Sequence, residues 1–208
     1  MTSNKLEQEA KFRIRQPERL AARLNALGAV CTQERTFELN LRFDTPDGRL
    51  SAAYQVLRLR QDQRSRLTFK GPSDPNSAVS AREEIEVEVS DLRTTQAILE
   101  ALGYQVSVSY EKYRAAYQLG DVEVSLDEMP FGNFSEIEGP DEKRIHAAAK
   151  QLGLNWETRS KLSYLAIFDI LKETFRLEMP NLTFAAFIGQ AYSLDEIGLL
   201  PSDEVYDI

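Results

Sequence analysis

Three short runs carry acidic residues at every second position: Glu7-x-Glu9-x-Lys11, Arg82-x-Glu84-x-Glu86 and Glu136-x-Glu138. A spacing of two places such side chains on one face of a β-strand. In the first run Glu7, Glu9, Lys11 and Arg13 share a face. Leu6, Ala10, Phe12 and Ile14 share the other, with Gln8 the exception. Two carboxylates followed by an ammonium suit a site that holds a hard cation together with the anion it carries. The plain alternative is a charged face turned to water.

Other extended stretches repeat the arrangement with the opposite sign. Arg58 and Arg60 alternate with Leu57 and Leu59; Arg66, Thr68 and Lys70 alternate with Leu67 and Phe69. Tyr110, Lys112 and Arg114 share one side of the stretch from Val106 to Tyr117. Glu123, Ser125 and Asp127 oppose Val122, Val124 and Leu126. Such strands build either an antiparallel sheet with one face in water or a closed barrel with its charges inside. About eight strands are enough to close around a small ligand. Interior charges are costly unless they find partners. Interior carboxylates need a metal, interior arginines and lysines need an anion, and a metal-bound polyphosphate meets both needs. The expected class is α+β: a closed antiparallel β-barrel of about eight strands with a charged tunnel interior and helices packed outside it.

The elements that must position these residues follow from local signals. Pro17 opens a helix that stops at Gly28, with Leu20, Leu24 and Leu27 as its stripe. An extended run from Thr36 to Phe43 leads into the turn Asp44-Thr45-Pro46-Asp47-Gly48, and strands are expected at Leu50 and from Tyr54 to Arg60. Gly71 to Ala78 reads as a loop. Ser90 or Asp91 caps a helix ending at Gly103, and a further helix runs from Asp141 to Leu152. The chain reads as helical from Ser160. Asn181 is expected to cap a short helix, and Ser193-Leu194-Asp195-Glu196 reads as a capping box. No linker divides the chain, so residues 1–172 form the tunnel domain and 173–208 a helical appendage of the same domain.

Composition excludes several classes. A net charge of −8 argues against non-specific nucleic-acid binding. The one cysteine, Cys31, makes no internal disulfide, and the one histidine, His146, excludes a histidine metal site and argues against a Ser-His-Asp triad. His146 is expected on a helix surface. There is no GxGxxG or GxxxxGK[ST] loop, so phosphates must be held by side chains. No apolar run reaches the ~18 residues of a membrane span, and no apolar signal segment follows the start. No membrane partner is expected, and the cytoplasm is the expected compartment.

Taken in order, the runs Glu7-x-Glu9-x-Lys11, Phe43-Asp44-Thr45-Pro46-Asp47-Gly48-x-Leu50, Leu57-Arg58-Leu59-Arg60, Thr68-Phe69-Lys70-Gly71-Pro72, Arg82-x-Glu84-x-Glu86, Lys112-x-Arg114, Leu126-Asp127 and Glu136-x-Glu138-Gly139 resemble the CYTH family of triphosphate tunnel metalloenzymes. The resemblance spans Asn4 to Lys172. That family comprises class IV adenylate cyclases, thiamine triphosphatases and inorganic triphosphatases, and its antiparallel tunnel agrees with the barrel inferred above.

The resemblance implies that Glu7, Glu9, Glu136 and Glu138, assisted by Asp127, hold one or two Mg²⁺ or Mn²⁺ ions. It implies that Lys11, Arg58, Arg60, Lys70 and Arg114 bind the triphosphate, joined by Lys161 at the start of the helix after the barrel. Lys11 and Lys70 are the expected catalytic residues, with Lys70 a proton-transfer group. Arg82, Glu84, Glu86 and Lys112 are tunnel-wall residues of undefined role. The expected activity is metal-dependent hydrolysis of inorganic tripolyphosphate or of a nucleoside or other organic triphosphate. The alternatives are a class IV adenylate cyclase making cyclic AMP and pyrophosphate, and a non-catalytic polyphosphate- or nucleotide-binding module. Cyclase-like members carry a Gln/Asp/Tyr-rich strand where this chain has Glu38-Leu39-Asn40-Leu41-Arg42-Phe43, a departure that favours the hydrolase. Trp156, the only tryptophan, falls outside the expected strands, which disfavours thiamine triphosphate.

Overall fold

The computed structural model describes residues 5–72 and 80–203, with the backbone path alone for 5–7, 80 and 81. Most of the expected Gly71–Ala78 loop lies outside the described residues. Alternating sequence becomes eight strands: β1 (Lys5–Ile14), β2 (Val30–Asp44), β3 (Val56–Gln61), β4 (Ser65–Lys70), β5 (Ser80–Val89), β6 (Gln105–Leu119), β7 (Val122–Met129) and β8 (Gly132–Glu138). They lie in the order β1-β5-β4-β3-β2-β6-β7-β8, every neighbouring pair antiparallel.

β1 closes the ring. Its residues Lys5 to Glu9 pair with β5, and Glu9 to Ile14 pair with β8. The seam is thus staggered along one strand, and the two pairings overlap at Glu9.

Much of the outward surface is apolar and covered, although Phe37 on β2 and Ile85 and Val87 on β5 stay exposed. α1 (Pro17–Ala26) and α4 (Glu142–Leu152) lay Leu20, Leu24, Ile145, Ala149 and Leu152 on Phe12, Val122, Val124 and Ile137. α3 (Leu92–Ala101), capped by the Asp91 carboxylate, sets Leu99 against Leu41, Phe43 and Leu59. A third cluster joins α5 (Tyr164–Phe175) to Tyr110, Phe131 and Phe134, with Leu182, Phe187, Leu194 and Leu199 of the C-terminal segment packed on it. No helix among the described residues is long and apolar enough to cross a membrane.

Where the local reading fails, a long-range contact is the cause. Leu50 lies in a helical turn, α2 (Arg49–Ala52), and not in a strand. The Asp44 carboxylate accepts from the N–H groups of Thr45, Leu50 and Ser51 and from the Ser51 hydroxyl. Burial would raise the Asp44 pKa, but these bonds hold it below its ordinary value. β2 begins at Val30, ahead of the expected Thr36, because Val30, Cys31 and Gln33 pair with β6 across two register shifts. Cys31 is exposed there.

Residues 160–162 are not helical, Ser160 making an isolated bridge to Lys11, and α5 starts only at Tyr164, after its cap Ser163. The cause is β1: the Ser160 N–H donates to the Lys11 carbonyl at 2.8 Å, and Lys11 Nζ donates to the Leu162 carbonyl at 3.0 Å. The Asn181 side chain accepts from the Ser109 N–H, and Thr183 caps α6 (Phe184–Phe187) instead. Ser193–Glu196 opens turns and no helix, with Asp195 drawn to Arg13 and Arg15. His146 is exposed on α4, its ring 4.5 Å from that of Trp156. Trp156 lies in a short 3₁₀ turn outside the strands.

Candidate active site

The even-spaced charges of the strands face one cavity of about 1610 Å³. Register sorts them by sign. On β4, β3, β2 and β6 the lining residues are Arg66, Lys70, Arg58, Arg60, Arg42, Lys112 and Arg114. On the contiguous strands β8, β1 and β5 they are Glu138, Glu136, Glu9, Glu84 and Glu86, with Lys11 and Arg82 among them. The three acidic runs of the sequence are therefore neighbours in space. Glu84 and Glu86 lie within reach of the basic side: Lys70 pairs with Glu84 at 3.2 Å, and the Thr68 hydroxyl donates to Glu86 at 2.8 Å.

At the seam, Glu9 stands directly across from Glu138, and Glu138 from Glu123 on β7. All three line the cavity. Like charges placed opposite one another across strands repel, so this row is where a bound cation would relieve the most. Arg82 approaches Glu9 at 4.0 Å. The Glu7 side chain lies outside the described residues; its backbone is opposite Arg82. Among the described residues no three carboxylates converge into a preformed metal site. The oxygen donors of Glu9, Glu138 and Glu136 nonetheless suit a hard cation of the Mg²⁺ type, which takes one or two carboxylates and leaves other positions to phosphate and water.

Asp127 and Glu38 sit on the basic side as buried counter-ions. The Asp127 carboxylate receives Lys112 at 3.1 Å, Arg114 Nε at 2.6 Å and the Tyr164 hydroxyl at 2.7 Å. Glu38, with no exposed surface, lies 3.5 Å from Lys112 and 3.8 Å from Arg60. Burial alone would raise its pKa. Lys112, Arg114, Arg60 and Arg58 outweigh that and bring it down to about 2. Glu136 is held well below the carboxylate range, against its burial, by Lys11 and Arg114. Lys11 lies 3.0 Å from Glu136 and 4.3 Å from the centre of the Tyr164 ring. Its burial favours the neutral amine, but Glu136, Glu9 and Asp127 keep it charged.

The structure thus brings Lys11, Arg58, Arg60, Lys70, Arg82, Glu84, Glu86, Lys112, Arg114, Glu9, Glu136 and Glu138 to one cavity, with Asp127 buried against Lys112 and Arg114. Lys161 is exposed and lines the cavity from the irregular segment before α5, not from the helix start. Sequence reasoning assigns no site role to Arg66, Tyr110 and Glu123, though it places them on charged strand faces, nor to Arg42; all four line the cavity, and Glu38 and Asn40 are buried beside it. Period-two alternation marks each of them; Arg42, Glu38 and Asn40 share one face of β2. Tyr110 Oη accepts from Arg58 at 3.4 Å. Burial raises its pKa, yet Arg58, Lys112 and Arg42 carry it below the ordinary phenol value. Neither polar atom of the buried Asn40 side chain has a hydrogen-bond partner.

The strands form a ring whose interior cavity is lined with charges sorted by sign. The chain belongs to the CYTH-domain family, whose pattern matches residues 5–178. It is 29% identical over 135 residues to a Methanocaldococcus jannaschii protein named as a candidate adenylate cyclase, covering 64% of this chain and 76% of that one. A Vibrio parahaemolyticus structure described as a candidate adenylate cyclase superposes with a TM-score of 0.70 at 25% identity. That match covers 80% of this chain and 99% of the other. A Hippeastrum protein, described as a candidate adenylyl cyclase with a dominant triphosphatase activity, shares the fold with a TM-score of 0.60 at 23% identity. It covers 79% of this chain and 95% of its own.

Proposed function

We propose that this chain hydrolyses a triphosphate bound in the cavity together with Mg²⁺ or Mn²⁺. The observation that carries the reading is the opposition of two walls. Arg58, Arg60, Arg66, Lys112 and Arg114 face a row of carboxylates formed by Glu9, Glu138 and Glu123. Arginine forks match phosphate oxygens. A cavity built only to bind an anion has no use for the carboxylate row, which speaks against a non-catalytic binding module. Glu9, Glu138 and Glu136 would hold a cation that neutralises the charge of its phosphate ligand and makes a bound water more acidic.

The chain's own residues do the rest. Arg58, Arg60 and Arg114 hold the phosphate chain in line and stabilise the charge that develops in transfer. Asp127 aims Lys112 and Arg114 by holding both. Lys11, pinned between Glu136 and the Leu162 carbonyl, supplies an ammonium donor next to the carboxylates. Lys70 pairs with Glu84; as a proton-transfer group it acts after substrate phosphate displaces that partner.

The second reading is a class IV adenylate cyclase, favoured by the name of the M. jannaschii relative. It uses the same walls, but the ribose 3′-hydroxyl attacks and pyrophosphate leaves. One assay separates them. Protein with Mg²⁺ or Mn²⁺ is offered tripolyphosphate and ATP separately, and products are resolved by phosphorus NMR. Orthophosphate plus pyrophosphate from tripolyphosphate, with little cyclic AMP from ATP, supports the hydrolase. Cyclic AMP plus pyrophosphate from ATP establishes the cyclase, and no turnover of either overturns both.

A further inference from the structure

The charges account for most of the cavity wall, but not for Tyr54. It follows α2 where the chain turns back towards β3: its N–H donates to the Ser51 carbonyl at 3.0 Å, and the Gln55 N–H donates to the Leu50 carbonyl at 2.8 Å. This closure holds Tyr54 at φ 56°. In that left-handed region glycine is at ease and a bulky side chain is strained. No burial compensates, because Tyr54 is 81% exposed. Yet it lines the cavity, beside a stretch of wall where Gln55, Val56, Val108 and Pro180 join Arg42. A strained, exposed aromatic residue at a cavity mouth points to a ligand that meets its ring.

We infer that Tyr54 is the platform on which the organic group of the substrate stacks. That group is a planar heteroaromatic base, so the preferred substrates are base-bearing triphosphates and not inorganic tripolyphosphate. The inference rests on the triphosphate reading above and goes on to choose the substrate class. Arg58, a phosphate-facing arginine, lies four residues further on, at most ~14 Å along an extended chain. That is within reach of a nucleoside triphosphate laid along the wall. The cavity of about 1610 Å³ exceeds the roughly 300–1,000 Å³ of a small-ligand pocket, leaving room for a base beyond the phosphates. Stacking on an aromatic ring tolerates any base, and the neighbouring Gln55 amide offers a donor and an acceptor to its edge.

The test is steady-state kinetics with Mg²⁺ on ATP, GTP, CTP and tripolyphosphate, for wild type, Tyr54→Gly and Tyr54→Phe. Glycine removes the ring and suits the backbone conformation, so folding is not at risk. Tyr54→Gly is expected to lower kcat/KM for the nucleotides about tenfold, mainly through KM, and to leave tripolyphosphate unchanged. Tyr54→Phe keeps the ring and is expected to keep the nucleotide values. Nucleotide kinetics indifferent to Tyr54→Gly, or an equal fall for tripolyphosphate, overturns the inference. Wild-type turnover of tripolyphosphate but of none of the nucleotides also overturns it, while the triphosphate reading stands. Turnover of no substrate overturns both.

Discussion

A carboxylate with no exposed surface needs a reason, and at Glu38 the reason is its cations. With its pKa brought from 4.5 down to about 2, Glu38 contributes stability that is fully present above pH 4.5. That contribution is lost as pH falls through 2, on the order of 3 kcal/mol in all. Glu38→Gln should be less stable than wild type at neutral pH, and its urea midpoint should vary less between those two pH values. Parallel acid limbs for the two proteins would remove Glu38 from the account. Glu9 is tested by activity. Glu9→Gln takes the β1 end charge from the Glu123–Glu138–Glu9 row. It should cut metal-dependent turnover by about 100-fold or more while tripolyphosphate binding, read by calorimetry, persists. Full activity in that variant would sink the assignment of the row to a cation.

At the scale of elements, the fold depends on how closely helices approach the outer face of the ring. Gly139 joins β8 to α4, and the sequence shows only a Gly-Pro strand breaker. In the structure a Cβ at that position would sit 2.9 Å from the Cγ1 methyl of Val122 and 3.0 Å from the Cγ1 methylene of Ile145. Both neighbours belong to the packed α4–β7 interface. Gly139→Ala should therefore cost about 1–3 kcal/mol by overpacking, read as a lower urea midpoint with an unchanged slope. An unchanged midpoint would mean that the interface yields freely. The start of α5 matters differently, because it carries Tyr164 to Asp127. Its cap, the Ser163 hydroxyl, accepts from the Ala166 N–H at 3.1 Å, and Ser163→Ala should cost about 1 kcal/mol by the same measurement.

Across the whole molecule the charges are segregated. A chain of net charge −8 gathers arginine and lysine on four adjacent strands around a cavity, where they repel one another. An anion that bridges them stabilises the native state alone and raises its melting temperature. Tripolyphosphate without metal should raise the thermal midpoint, Mg²⁺ should raise it further, and EDTA should remove only the second increment. Because Arg58, Lys112 and Arg114 are largely buried, salt should weaken the shift less than it would for a surface site. A midpoint blind to tripolyphosphate would rule out the cavity as its binding site.

Much of this was legible in order of sequence. Period-two alternation marks β1, β3 to β5, β7 and β8, and marks which residues share a face, because side-chain direction in a strand is a local property. Glu9, Lys11, Arg58, Arg60 and Glu136 were named on that ground, and Glu38, Asn40 and Arg42 carried the same mark on β2. What alternation cannot supply is the partner strand. That Glu9 faces Glu138, that Asp127 holds Lys112 and Arg114, and that Ser160 bridges to Lys11 before α5 can start are outcomes of pairing between residues distant in the chain. The left-handed backbone at Tyr54 is likewise invisible in its residue type, which argues against it. Sequence determined the faces, because pleating acts from one residue to the next. Tertiary structure decided which faces meet, because closure of the ring is a property of all eight strands at once.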